Sequence, residues 1–282
     1  MFQSAAGSLL FVLFVAISGT TATAAELRPD PSRPTGSGMV FEGTIETGDF
    51  ERFKKFILDS GHTAEIYLAS PGGNLAEAVK IGILLRLLKL STVVPSKALT
   101  HYDRVLAVTR HGLKESKDYT CTSACFFIFV AGIHRSADGH GPAILGIHSP
   151  TLAPTGLAKV APDQINTATD RTRKFIESYF KIMDVPAKYI EEIYSVPKNR
   201  IRWIRNDEFE SDFAGFIPDL KALVRAKCGN RSDQAGQDNA EHDCASEIRD
   251  ELAVGALKDA LKGQSSDSPQ SIFKMLPQSR PN

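Results

Sequence analysis

The run Cys121-Thr-Ser123-Ala-Cys125-Phe-Phe-Ile-Phe-Val-Ala-Gly132 constrains the fold more than any other part of the chain. Phe126 to Ala131 is apolar on every side, so a helix there has no wet face and belongs inside a core. Thr122, Ser123 and Ala124 in front of it are small enough to let backbone come close to a bound group. A serine in the first turn of such a helix has two readings. Its oxygen can accept from the unpaired N–H groups of the helix start, or it can act as a nucleophile. The stretch by itself leaves both open.

Two further segments are built alike. In Glu65-Ile-Tyr-Leu-Ala-Ser70-Pro71-Gly72-Gly73-Asn74 an apolar run stops at a glycine turn, and a helical pattern follows from Leu75 to Leu90. A strand–turn–helix unit of this kind aims backbone N–H groups at a ligand, although Pro-Gly also marks ordinary turns. In Ala143-Ile-Leu-Gly-Ile147-His148-Ser149-Pro150 a short strand ends in histidine. Each apolar segment delivers a reactive or donor group at its end. Strands alternating with helices predict an α/β fold with a mostly parallel sheet and flanking helices.

Ser-Pro-Gly-Gly, then serine opening an apolar helix, then Gly-Ile-His-Ser-Pro resembles the proteolytic subunit of Clp protease. The chain is thereby similar to the ClpP/crotonase superfamily, and most like its exported ClpP-like members. Twenty-five positions separate Ser123 from His148, close to the peptidase spacing. The resemblance spans roughly Val40 to Leu220, and Ala214-Gly-Phe-Ile217-Pro-Asp219 is similar to the close of the Clp domain. It implies a repeated β-β-α spiral, Ser123 as nucleophile and His148 as base. It also implies an oxyanion hole drawn from the backbone at Gly73, Ala124 and Gly72. The family's orienting aspartate has no counterpart in Tyr194-Ser-Val-Pro-Lys-Asn199-Arg-Ile, where Asn199 is the candidate third member. Glu191, Glu192, Asp163 and Asp170 are further candidates. Losing the orienting acid can lower the rate by about 10⁴, so an inactive scaffold or peptide-binding relative is the competing expectation. Peptides or unfolded protein are the implied substrates, and assembly into homo-oligomers is the implied quaternary habit.

Compartment and partners follow from the rest of the chain. Leu9 to Ile17 is an apolar core of leader length, and Ala22-Thr-Ala24 and Thr23-Ala-Ala25 are small-residue cleavage sites. Residues 1–25 are therefore read as a signal peptide, or as an anchor if uncleaved, with the protein periplasmic or secreted. No Clp-type ATPase partner is expected outside the cytoplasm. Lys plus Arg and Asp plus Glu balance at 33 each, which argues against a nucleic-acid partner. No Cys/His spacing fits a metal site and no glycine loop fits a nucleotide, so neither metal nor cofactor is expected.

Export makes the four cysteines disulfide candidates, with three pairings open. Cys228 and Cys244 can close a short loop worth about 3 kcal/mol. Cys121 and Cys125 can bridge if Cys121 lies before the helix, bracing the turn of Ser123; within a regular helix that pairing is awkward. Otherwise Cys125 is a small core residue or a rival nucleophile. The expected layout is a linker over 26–38, a ClpP/crotonase-like domain over 39–225, and a polar, partly disordered extension over 226–282. Within the domain, 96–120 reads as an inserted hairpin at the rim of the site, with Arg104 to Thr109 strand-like. In the extension Ile248, Leu252 and Leu257 mark one amphipathic helix.

Overall fold

The structure is a computed structural model that describes residues 24–33, 36–61, 63–97, 105, 108–113, 119–139, 141–150, 162–228 and 238–262. Of the leader expected over 1–25, residues 1–23 lie outside the described residues, as do residues 263–282 of the extension, whereas Ala24 bridges Thr44 and Ala25 is buried in the core. The α/β class is as expected. Strands β1 (Glu26–Pro29), β2 (Gly38–Glu42), β3 (Glu65–Ala69), β4 (Ser91–Pro95), β6 (His134–Asp138) and β9 (Gly215–Phe216) form one sheet in the order β1-β2-β3-β4-β6-β9. The four inner strands run parallel, and β1 and β9 close the two edges antiparallel. Strands β5 (Cys121–Thr122), β7 (Leu145–Ile147) and β8 (Arg202–Trp203) make a second, small sheet. Isolated bridges link the two, Ser70 beside Cys121 and, just past β4 and just before β7, Ser96 beside Ala143.

Every residue of β2, β3 and β4 is buried, the pattern of parallel strands covered on both faces. Alternation assigns the faces. Met39, Phe41, Ile66, Leu68 and Val94 share the main core with α1 (Asp49–Ser60), α2 (Leu75–Leu87) and α3 (Ala124–Phe129). All six residues of α3 are buried, and the Phe126 ring meets those of Phe180, Tyr189 and Phe213 at 5.6–6.4 Å between centroids. Phe180 comes from α4 (Pro162–Ile182), Tyr189 from α5 (Lys188–Ser195), and Phe213 follows α6 (Asn206–Asp212). The wholly apolar helix read from sequence is thus the hub of the core.

The opposite face of the sheet, Val40, Tyr67, Ala69 and Val93, is covered by Leu113 and Tyr119, with Val108 packed alongside. This corrects the hairpin expected over 96–120. Val105 and residues 108–110 are helical, and Val108, Leu113 and Tyr119 pack on a sheet face. One polar cluster pins it down. His111 lies buried, with Nδ1 2.9 Å from Asp30 Oδ2 and Nε2 3.1 Å from Asp138 Oδ2. Its ring stacks on Tyr67 at 3.8 Å, and Arg28 donates to its carbonyl at 2.7 Å. Burial pushes the imidazole towards neutrality, but the two carboxylates outweigh it and hold its pKa above the ordinary 6.5. Burial likewise pushes Asp30 and Asp138 up, and His111 outweighs it, leaving both below their ordinary 3.8.

Two other boundaries move. Within the linker expected over 26–38, Glu26 to Pro29 pair with Glu42 to Met39 as β1. A short strand ending in proline is compatible with a sheet edge, where one face of the backbone needs no partner. At the other end, α7 (Pro218–Cys228) and α8 (Asp238–Lys262) are joined by the Cys228–Cys244 disulfide. The extension is docked, since Ala253 and Leu257 enter the main core and Arg249 reaches Glu65 at 3.3 Å. Among the described residues no helix is long and apolar enough to cross a membrane.

Candidate active site

The three motifs of the sequence meet where the two sheets join. Beyond β3 the chain pairs with β5: Ser70 N–H donates to Thr120 O at 2.7 Å, and Thr122 N–H to Ser70 O at 3.1 Å. On its other side β5 runs parallel to β7, with Thr122 opposite Gly146 and Ser123 N–H donating to Gly146 O at 3.0 Å. Ser123 thus leaves its strand level with Ile147, one residue before His148. Gly146 must be glycine, because a Cβ there would lie 2.4 Å from the Ile201 side chain.

Ser123 precedes α3 with φ +58° and ψ −122°, and its hydroxyl makes no capping hydrogen bond. The serine side chain therefore does not cap this helix. The contrast with the start of α2 is direct. Asn74, at φ −69° and ψ 108°, accepts from Ala76 and Glu77 as an ordinary cap does. Ser123 is half-buried and its backbone occupies a region that few non-glycine residues adopt.

The glycine turn packs directly on Ser123. A Cβ on Gly72 would lie 2.6 Å from Ser123 Cβ, and one on Gly73 2.2 Å from Ile45 O. Thr122 Oγ1 donates to Pro71 O at 3.0 Å, fastening the turn to β5. Of the three backbone groups expected to hold an oxyanion, one is spent: Gly72 N–H donates to Ser70 Oγ at 3.1 Å. No bond engages the N–H of Gly73 or Ala124 among the described residues.

His148 is half-buried, and its Nδ1 lies 2.8 Å from Ser149 O. A carbonyl only accepts, so Nδ1 carries the proton and the lone pair sits on Nε2. No hydrogen bond joins that ring to Ser123 in this structure. The orienting group is therefore the carbonyl of the next residue. Asn199, expected in that role, lies exposed in a turn and makes no hydrogen bond to His148. The segment before it does matter, through its backbone. Ser149 N–H donates to Val196 O at 3.1 Å, and Ser149 Oγ to the carbonyls of Ile193 and Tyr194 at 3.1 and 3.2 Å. Glu191 and Glu192 are engaged by Arg173 and Arg202, Asp170 is exposed, and the side chain of Asp163 lies outside the described residues.

A disulfide, Cys121–Cys125, spans the Ser123 turn, and both cysteines are fully buried. This removes the rival cysteine nucleophile. With both bridges formed there is no free thiol among the described residues, chemistry that belongs to an oxidising, exported environment. No cluster of three or more His, Cys, Asp or Glu suited to a metal ion occurs among the described residues. No protein-family model matches the chain, and no curated protein matches it in sequence.

Proposed function

We propose that the chain is an exported serine-type peptidase of the Clp proteolytic-subunit design, with Ser123 as nucleophile and His148 as general base. The observation that carries the reading is the Ser123 backbone. A serine at a helix start is held at positive φ with its hydroxyl uncapped, beside the strand that delivers His148. Strain of this kind persists only where surrounding structure imposes it, and it gathers at working sites. A small sheet at the end of a largely parallel one also fits the β-β-α spiral of the ClpP/crotonase fold.

In this mechanism His148 Nε2 takes the Ser123 proton as Oγ attacks the scissile carbonyl. The developing oxyanion accepts from Gly73 and Ala124 N–H, and the histidine then protonates the leaving amine. Water activated by the same histidine releases the acyl group. Gly72 shapes the turn instead of donating. The Ser149 carbonyl fixes the productive tautomer but brings no negative charge to stabilise imidazolium, so turnover is slow compared with a full triad. Short peptides or already unfolded protein in the periplasm or outside the cell are the fitting substrates. An oligomer of the chain, without an ATPase, is the fitting assembly.

The missing carboxylate at His148 also favours a second reading, a catalytically silent peptide-binding scaffold. Labelling of the mature protein with a fluorophosphonate decides between them. Wild type is expected to label, Ser123→Ala not at all, and His148→Ala more slowly by about 10²–10⁴-fold. Asn199→Ala should label like wild type. A folded wild-type protein that stays unlabelled would sink the peptidase and leave the scaffold.

A further inference from the structure

We propose that the Cys121–Cys125 disulfide is a positioning element of the site, holding Ser123 in its presenting conformation and out of the self-capping one. The inference rests on Ser123 being the nucleophile.

The bridge brackets the serine, joining β5 to the first turn of α3 with 5.2 Å between Cα atoms. On the strand side the chain is fixed by Thr122 N–H to Ser70 O, Ser123 N–H to Gly146 O and Thr122 Oγ1 to Pro71 O. On the helix side it is fixed by Phe126 N–H to Ser123 O at 3.1 Å and Val130 N–H to Phe126 O at 3.0 Å. Between these anchors lies the φ and ψ of Ser123, which has a lower-energy alternative. Rotated to the extended region, as Asn74 is, the serine would cap α3 with its own oxygen and lose its lone pair to the backbone. That rotation moves the first turn of α3 relative to β5. A covalent link from 121 to 125 opposes it, with Gly72 packed against the same corner.

Burial of both cysteines marks the bridge as a permanent brace instead of a switch turned by ordinary thiols. The second disulfide supplies an internal comparison. Cys228–Cys244 joins α7 to α8 in an apolar cluster separate from the one that holds Cys121, Ala124 and Cys125, so its loss is expected to act on stability.

The test uses the full oxidised mature chain and two double variants, Cys121→Ala/Cys125→Ala and Cys228→Ala/Cys244→Ala. Fluorophosphonate labelling rate, amide hydrogen exchange over residues 121–130, and near-ultraviolet circular dichroism are read for each. The first variant is expected to keep its fold signal and to label about tenfold or more slowly, since displacements of about 1 Å have effects of that order. Its turn amides should exchange faster. The second should melt earlier yet label at the wild-type rate. If Cys121→Ala/Cys125→Ala does not fold, a trialkylphosphine is applied to the Cys228→Ala/Cys244→Ala protein. The phosphine reduces the one remaining disulfide to two thiols and becomes phosphine oxide, its oxygen drawn from water. Wild-type labelling with unchanged exchange, after the bridge is lost by either route, overturns the proposal. If wild type never labels, it is the nucleophile reading that falls. Exchange then decides the bracing by itself, and unchanged protection at 121–130 overturns it.

Discussion

Gly72→Ala is expected to cost about 2–6 kcal/mol of stability and to silence labelling in whatever protein still folds. Two effects combine. Gly72 sits at φ +98°, where a side chain is strained wherever it is placed. The new methyl would also lie 2.6 Å from Ser123 Cβ, 2.7 Å from Thr122 O and 2.9 Å from Ala124 N. Two of those atoms are backbone, tied into the strand-to-helix corner, so they cannot swing aside as a long side chain would. Relief comes only from pushing the glycine turn away from the serine, which separates the expected oxyanion donors. Gly48→Ala calibrates the strain, because Gly48 has φ +96° with no atom within 4 Å of its would-be Cβ. It should cost only about 1–2 kcal/mol and leave labelling intact. Denaturation midpoints and labelling rates for both variants check this. A folded Gly72→Ala protein that labels like wild type would show that the turn does not shape the site.

His111→Leu is expected to cost about 3–5 kcal/mol, the scale seen when one partner of a buried ion pair is removed. Leucine leaves Asp30 and Asp138 with no imidazolium between them. Ser32 N–H still reaches Asp30 at 2.9 Å and Arg110 still reaches Asp138 at 3.3 Å, so neither carboxylate is wholly abandoned. The pH dependence carries the signature. In wild type the folded imidazole pKa is raised, so its contribution is complete below 6.5 and fades as pH climbs through the folded value. The aspartate pKa values are lowered, so their contribution is complete above 3.8 and fades as pH drops through the folded values. The cluster therefore stabilises most between those two ordinary values. Denaturation at a series of pH values should show this window in wild type and lose it in His111→Leu. Adding Asp30→Asn to His111→Leu should restore part of the loss. An unchanged pH profile in His111→Leu would mean that the cluster is not charged in the fold.

What the sequence makes legible is whatever depends on local pattern. An all-apolar run reads as a fully buried element, since neither a core helix nor a covered parallel strand has a wet face. The stripe Phe175, Ile176, Tyr179, Phe180, Met183 reads as a helix face, and α4 buries Ile176, Tyr179 and Phe180, with Met183 buried just after it. Glycines at 72 and 73 read as a turn that something approaches closely. The misses share a cause, namely dependence on partners far along the chain. Residues 26–29 have the composition of a linker and become a strand only because β2 offers them an edge. Val105, Val108 and Thr109 favour strand by residue type, yet they are helical, with Val108 packed against the sheet and Val105 exposed. His111 finds its aspartates 81 and 27 positions away, and nothing in its neighbours announces them. The group that orients His148 escapes detection for a different reason. It is a backbone carbonyl, present at every position, so no residue type marks it. Ser149, in plain sight within the histidine motif, is the side chain that ties that carbonyl in place.

The placement of the four cysteines also decides how the chain can be oxidised. The bridges close separations of 4 and 16 residues. Either crossed arrangement would instead have to join sulfurs about a hundred residues apart, and loop closure grows dearer by about 0.6 kcal/mol for each doubling of length. For an unfolded chain that disfavours crossing by roughly 1.5 kcal/mol relative to closing Cys228 on Cys244. In the unfolded chain the pairing seen in the fold is therefore the one favoured by proximity along the sequence. Oxidative maturation should run forward with little reshuffling and without an isomerase, and trapped early intermediates rich in crossed pairs would contradict this. The turn that carries Ser123 is thus spanned by the shorter of the two rings, one that needs no long-range strand pairing to bring its sulfurs together.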